Sequence, residues 1–423
     1  MQTIENTKIQ EKVYIEKLEN GLKVIVIPKK TQKKYIIWGV NYGSIDNHFM
    51  VDDKEIKHPD GLAHYMEHKM FEQEKGPNSL DVLSAMGVNA NAYTTNNHTA
   101  YLFEDSSGKF YEALDEFMNY VQNPYFTDEN VEKERGIIEQ EIMMYDDYPD
   151  WKLYMNALKA MYHKNSINID IAGSKESIAE ITKEKLYEAN GAFYRPEKMA
   201  IVVCGDFEPE QIIEEIKKRM TLQNSTKNVK RIYEEEPDTI VKSRVEAEMS
   251  ISMPLFMIGY KDVTKAENQL KKDLALDIIF NILIGDSSEL YQSLYKEGLL
   301  QTQPGFIYEN TDKYSHVLIE GQSEKYDEVI KRIEEGIEKL KQNSINDEEF
   351  DRIKKKLYGE FVKSYNNVDH IATSFIQNYF KGINPLDYFE EFKGLDKEYT
   401  MQILKDVFQK DKQVISIVKP KKI

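Results

Sequence analysis

The sequence predicts an α+β protein made of two similar halves, each a β-sheet covered by helices. Three observations carry that prediction. Short β-rich runs closed by Gly, Pro or Asn are interspersed with long amphipathic helical stretches. A polar stretch at 221–245, with Asn224-Ser225-Thr226, Glu234-Glu235-Glu236 and Pro237, breaks the pattern like a linker. The order of segments before that break recurs, weakly, after it, as an old duplication would leave it. A chain of 423 residues, 41% hydrophobic and 30% charged, has ample material for such cores. The expected domains are residues 1–220 and 246–423, joined by 221–245.

Leu22 to Ile27 reads as a strand entered through Asn20-Gly21 and ended by Pro28, and Tyr35 to Tyr42 as a second. A loop containing Asp46, His48 and His58 then leads to Gly61–Phe71, which contains His-x-x-Glu-His. On a helix, His64 and His68 lie four residues apart and project from one face, so both imidazoles reach one ion. Glu67 sits beside them, close enough to act on a water at that ion. Two neutral imidazoles and an unliganded carboxylate are what a hydrolytic zinc site needs. The competing reading is an amphipathic helix with two surface histidines. The stripe of Leu62, Ala63, Met66, Met70 and Phe71 weighs against it, because a packed helix demands partners for its imidazoles.

Asn78 to Met86 reads as a helix closed by Gly87, followed by strand-like runs Val88–Thr95 and Thr99–Glu104. Phe110 to Gln122 is helical. Thr127 or Asp128 opens a helix through about Asp146. Glu134 and Glu141, seven residues apart, share one face of it; Glu129, Glu132 and Glu139 point elsewhere, and Val131, Ile137, Ile138, Ile142 and Tyr145 mark the packed side. Ile178–Phe193 reads as helix and Met199–Val203 as strand. In the second half, Asp347–Ile353 resembles Asp128–Glu134, which sets Glu360 at the place of Glu141, and Phe408–Val418 resembles Phe193–Val203. The counterpart of the zinc-type helix, around Leu274–Ile284, has no histidine, so only the first half is equipped for a metal.

A net charge of −17 argues against a nucleic-acid or anionic-membrane partner. No apolar run approaches the ~20 residues that span a bilayer, and Met1–Glu19 lacks a signal-peptide core. The one cysteine, Cys204, lies in an apolar run and reads as a buried strand residue. Together these suggest a cytoplasmic protein. His48, His58, His98, His163, His316 and His370 read as surface residues.

With these motifs in place, the chain resembles the pitrilysin, insulysin and mitochondrial processing peptidase family of zinc peptidases, the inverzincins. His64-x-x-Glu67-His68 resembles the family motif, Asn91-Ala92-Tyr93-Thr94 its Asn-Ala-aromatic-Thr strand, and Glu132–Glu141 the segment supplying the third ligand. The resemblance implies duplicated α/β-sandwich domains of the half-clam type. It further implies one Zn2+ per chain on His64, His68 and Glu141, Glu67 as general base, and Glu134 steadying a ligand histidine. Asn91, Ala92 and Tyr93 would lie on an edge strand that holds an extended peptide. From the residues alone, Glu134 also reads as a solvated helix carboxylate and Asn91 as a strand-end residue. Where the family places an arginine and a tyrosine against substrate, this chain has Tyr295 and Gln301. That departure suggests a heterodimer with a homologous metal-less subunit, or else a homodimer. The alternatives to a metalloendopeptidase are a non-catalytic family subunit and a zinc-containing peptide-binding module.

Overall fold

A computed structural model describes residues 1–264 and 266–421, which form two compact units. Unit 1 comprises Met1–Ile142, Asp170–Tyr233 and Val362–Leu386; unit 2 comprises Met143–Ile169, Glu234–Phe361 and Asp387–Ile423.

The strands of unit 1 are β1 (Gln2–Asn6), β2 (Glu11–Lys17), β3 (Lys23–Pro28), β4 (Lys34–Val40), β5 (His48–Val51), β6 (Lys54–Lys57), β7 (Asn89–Thr94), β8 (Thr99–Asp105), β9 (Met199–Gly205) and β10 (Val229–Arg231). Seven of them build one sheet in the order β1-β2-β3-β9-β4-β8-β7, which leaves β7 on an edge. The β9 run Met199–Gly205 is buried throughout, as expected of a central strand flanked on both sides. Cys204 is among its buried residues. On one face of the sheet, Ile36, Trp38 and Val40 of β4 meet Phe117, Tyr120 and Val121 of the helix Phe110–Gln122 within one core.

Five strands in this unit, β1, β2, β5, β6 and β10, lie where the sequence suggested none. β5 and β6 form a hairpin in the loop before the zinc-type helix, and β10 pairs with β5 from inside the polar linker stretch. β5, β6 and β10 are only three or four residues long, so alternation is too brief to register. Arg231 donates to the buried Asp46 carboxylate at 2.7 Å and the Tyr233 hydroxyl donates to the same oxygen at 2.7 Å, tying this end of the stretch to the unit.

Unit 2 contains β11 (Arg244–Met249), β12 (Leu255–Lys261), β13 (Gly305–Asn310), β14 (Ser315–Gln322) and β15 (Gln413–Pro420), ordered β11-β15-β12-β14-β13. The same order runs through unit 1 as β3-β9-β4-β8-β7. The first pair is parallel in each sheet, β3 with β9 and β11 with β15, and the remaining pairs are antiparallel. The helices Asp128–Asp146 and Asp347–Ser364 begin at the two aspartates that the sequence comparison aligned.

Neither unit is continuous in sequence. The helix Pro149–Met161, from the first half, packs on β12 and β15 of unit 2, and Val368–Phe380, from the second half, packs on β4 and β9 of unit 1. Glycines mark both approaches. A Cβ on Gly39 of β4 would lie 2.6 Å from Ile376, and one on Gly259 of β12 would lie 2.7 Å from Met161. A crossing helix has the same amphipathic pattern as any other, so composition places the change of unit only at the polar stretch. Among the described residues, no helix is long and apolar enough to cross a membrane.

Candidate active site

The zinc-type motif lies on the helix Leu62–Lys69. Gly61 precedes it with φ of 92°, and a Cβ there would meet the Ala172 carbonyl at 2.4 Å, so the chain can enter this helix only through glycine. Leu62, Ala63, Tyr65, Met66, Met70 and Phe71 are buried, as the apolar stripe required. That burial fixes the rotation of the helix and turns His64, Glu67 and His68 toward the helix Asp128–Asp146. The buried Tyr65 hydroxyl donates to the carbonyl of Val131 on that second helix, pinning one helix to the other.

Across this junction Nε2 of His64 lies 3.7 Å from Oε1 of Glu141, and Nε2 of His68 lies 3.5 Å from Oε2 of the same carboxylate. One ligand atom from each of the three residues falls within 4.8 Å of the others. The other nitrogen of His68, Nδ1, is 3.1 Å from Oε1 of Glu134, so Nδ1 carries the hydrogen and Nε2 keeps its lone pair toward Glu141. Burial, with His68 beside it, pushes His64 down to about 3, so its ring is neutral at ordinary pH. Burial also opposes a charged His68, but the hydrogen bond it donates to Glu134 and the charges of Glu67, Glu134 and Glu141 outweigh it and raise that group. Two imidazole nitrogens and one carboxylate facing a common point are the donor set of a tetrahedral zinc site with one position left for water. The residues present fit that ion.

Glu67 stands beside this set, not in it. It is 8% exposed, and burial raises its carboxyl, partly offset by a hydrogen bond from Thr94 at 2.7 Å and by the nearby His68. Glu134 is lowered: burial alone would raise it, but the His68 hydrogen bond and the Lys69 ammonium prevail. The solvated reading of Glu134 therefore fails, since its side chain is 12% exposed and engaged on both oxygens.

Asn91, Ala92 and Tyr93 lie on the edge strand β7, which packs against the motif helix. Successive side chains alternate across a strand. Ala92 shares the Thr94 face, toward Glu67. Tyr93 points the other way, its ring 5.7 Å from His98, and Asn91 is exposed with its side chain bonded to the Ala92 amide. Strand β7 therefore presents its main-chain edge and the small Ala92, while the Tyr93 ring packs beside His98. Tyr295 lies in unit 2, on the helix Glu289–Lys296, and is 54% exposed.

Two residues escaped the sequence reading. Lys69 is wholly buried, with its ammonium 3.3 Å from Glu134 and 3.4 Å from Glu72. The signal was a lysine next to the apolar pair Met70-Phe71 on a helix already read as packed. Thr94 was quoted as part of a strand motif without a role. Three further expectations are corrected: His58, His98 and His316 are buried at 4%, 7% and 0% exposure, not surface residues. His58 bonds Glu188 at 3.1 Å, His98 bonds Thr95 at 3.0 Å and His316 bonds Tyr162 at 3.0 Å, so one ring nitrogen of each is satisfied. Ile137, expected on the packed side of its helix, is 49% exposed.

Residues 51–175 match the family described as Insulinase (Peptidase family M16), and residues 180–357 match the Peptidase M16 inactive domain. The chain is 34% identical over 426 residues to an uncharacterized zinc protease of Bacillus subtilis, YmfH, covering 99% of both. It superposes on the crystal structure of a putative M16-like peptidase from Alicyclobacillus acidocaldarius with a TM-score of 0.94 and 31% identity, covering 99% of this chain and 100% of that one. It is also 25% identical over 231 residues to the beta subunit of the mitochondrial-processing peptidase of Dictyostelium discoideum, covering 53% of this chain and 48% of that protein.

Proposed function

Because the chain belongs to the M16 insulinase family of peptidases, we propose that it is a zinc-dependent metalloendopeptidase that cuts extended peptides. One observation carries the reading: His64, His68 and Glu141 converge within 4.8 Å while Glu67 remains outside the set with a free oxygen. In this reading His64, His68 and Glu141 hold one zinc ion per chain. When bound, zinc supplies a Lewis acid and a water of lowered pKa. Glu67 accepts a proton from the attacking water and returns it to the leaving amine. Glu134 keeps the Nδ1 hydrogen of His68 in place, so the ring presents Nε2. The open edge of β7 receives the peptide by strand addition, reading main chain more than side chain, with Ala92 leaving room for it. Extended segments are therefore favoured over folded proteins.

A second reading has its own support. The second half matches an inactive domain, and Tyr295 and Gln301 stand where an arginine and a tyrosine are expected. On that basis the chain is the metal-bearing member of a heterodimer whose homologous partner supplies the missing pair, as a peptidase named as a subunit among its relatives suggests.

The deciding experiment is hydrolysis of a mixed quenched-fluorescent peptide pool by the purified chain alone, with zinc assayed on the same sample and Glu67→Gln alongside. Cutting by the wild type and not by the variant supports a self-sufficient peptidase. Stoichiometric zinc without cutting favours the heterodimer, and a homologous chain should then co-purify. A metal-free, inactive protein overturns the site.

A further inference from the structure

Thr94, the last residue of β7, donates its hydroxyl hydrogen to Oε2 of Glu67 at 2.7 Å. A threonine hydroxyl has one hydrogen to give, and the neighbours decide where it goes. Oγ1 of Thr99 is 3.4 Å from Oγ1 of Thr94, but the Thr99 hydrogen is already given to the Tyr42 carbonyl at 3.0 Å. Behind Glu67 the hydroxyls of Tyr101 and Tyr194 bond each other at 2.7 Å. Among the described residues, no other hydrogen bond reaches the Glu67 carboxylate. The donor is thus single, fixed in direction and built into the edge strand itself.

We propose that Thr94 is a positioning residue for catalysis: it takes up one oxygen of Glu67, fixes the plane of the carboxylate, and leaves Oε1 to work on the attacking water. The inference rests on Glu67 being the general base. Its consequence is a link between binding and chemistry, since the strand offered to the peptide also holds the base. A peptide paired along β7 stiffens the backbone that carries Thr94, so the base is held steady for the chemical step.

The test compares the zinc-loaded wild type with Thr94→Val, which keeps shape without a donor, Thr94→Ala, which also lacks a donor but fits any packing, and Thr94→Ser, which restores the hydroxyl. Glu67→Gln is run in parallel. The expected result is a kcat lower by about 10- to 100-fold in the Val and Ala variants, at unchanged KM and zinc content, with Thr94→Ser within about threefold of wild type. A crystal structure of Thr94→Val should show Glu67 in more than one rotamer. Wild-type kcat in Val and Ala, with Glu67→Gln dead, overturns the role of Thr94 alone; so does a Ser variant as impaired as Val. A wild type no more active than Glu67→Gln overturns the base and, with it, this inference.

Discussion

His68 hands its Nδ1 to Glu134 at 3.1 Å, and that contact decides which nitrogen is left for a metal. Oε2 of the same glutamate meets the buried Lys69 ammonium at 3.3 Å, so the carboxylate is clamped from both sides. Glu134→Gln keeps the shape but removes the charge that both partners answer to. Zinc affinity, measured by competition with a chelator, should fall about tenfold or somewhat more. The melting temperature should fall too, because Lys69 then has only Glu72. Unchanged affinity would show that Glu134 does not orient His68.

The paired glycines should behave unequally. At Gly39 a new methyl would lie 2.6 Å from Cγ1 of Ile376 and 2.7 Å from the Phe380 ring, groups held by a branched stem and an aromatic plane. At Gly259 the nearest atom is Cε of Met161 at 2.7 Å, the far end of a flexible side chain. Gly39→Ala should therefore cost about 1–3 kcal/mol in urea unfolding and Gly259→Ala distinctly less. Equal losses would contradict this account of how the crossing helices seat.

These glycines also mark where the sequence was legible and where it was not. The pattern of His64, Glu67 and His68 is local: one helical turn fixes its geometry, so spacing alone exposes it. Glu141 lies more than seventy positions away, and only resemblance to a known segment could single it out from the other glutamates of its helix. The buried His98 looked like a surface residue because its neighbours Asn96, Asn97 and Thr99 are polar, while His316 stands just before the apolar run Val317–Ile319 and was misread all the same. What covers them comes from distant segments: the Phe380 ring lies 5.6 Å from that of His98, and Tyr162 bonds His316. Helix exchange was invisible for the same reason. The face of Pro149–Met161 is written in the sequence, but the sheet it covers is not.

His98 gives a pH dependence. Burial, with Lys381 nearby, pushes this imidazole down to about 4 from an unfolded value of about 6.5. Above pH 6.5 it is neutral in both states and its contribution is fully present. As pH falls from 6.5 to about 4, the unfolded chain binds a proton that the folded chain refuses, and stability is lost. The loss attributable to His98 is on the order of 2–3 kcal/mol across that window. His98→Gln, which bonds but does not titrate, should flatten this part of the profile in urea unfolding at pH 7, 5.5 and 4.5. Parallel profiles for variant and wild type would place the protonation elsewhere.

The last prediction concerns what holds the two helices of the proposed zinc ligands in register. Tyr65 is buried, and its hydroxyl donates to the Val131 carbonyl, three residues before Glu134 and ten before Glu141. The bond crosses from the helix of His64 and His68 to the helix of Glu141, so it bears on both stability and ligand spacing. Tyr65→Phe removes one oxygen, leaves the ring in place, and should cost about 1–2 kcal/mol. The ligand atoms already stand 3.5 and 3.7 Å apart across this junction. A small slip between the helices therefore loosens the set. Zinc should dissociate faster from Tyr65→Phe than from wild type when a chelator is in excess. If stability falls while zinc release keeps its wild-type rate, the Tyr65 bond supports the core without setting the spacing of the site.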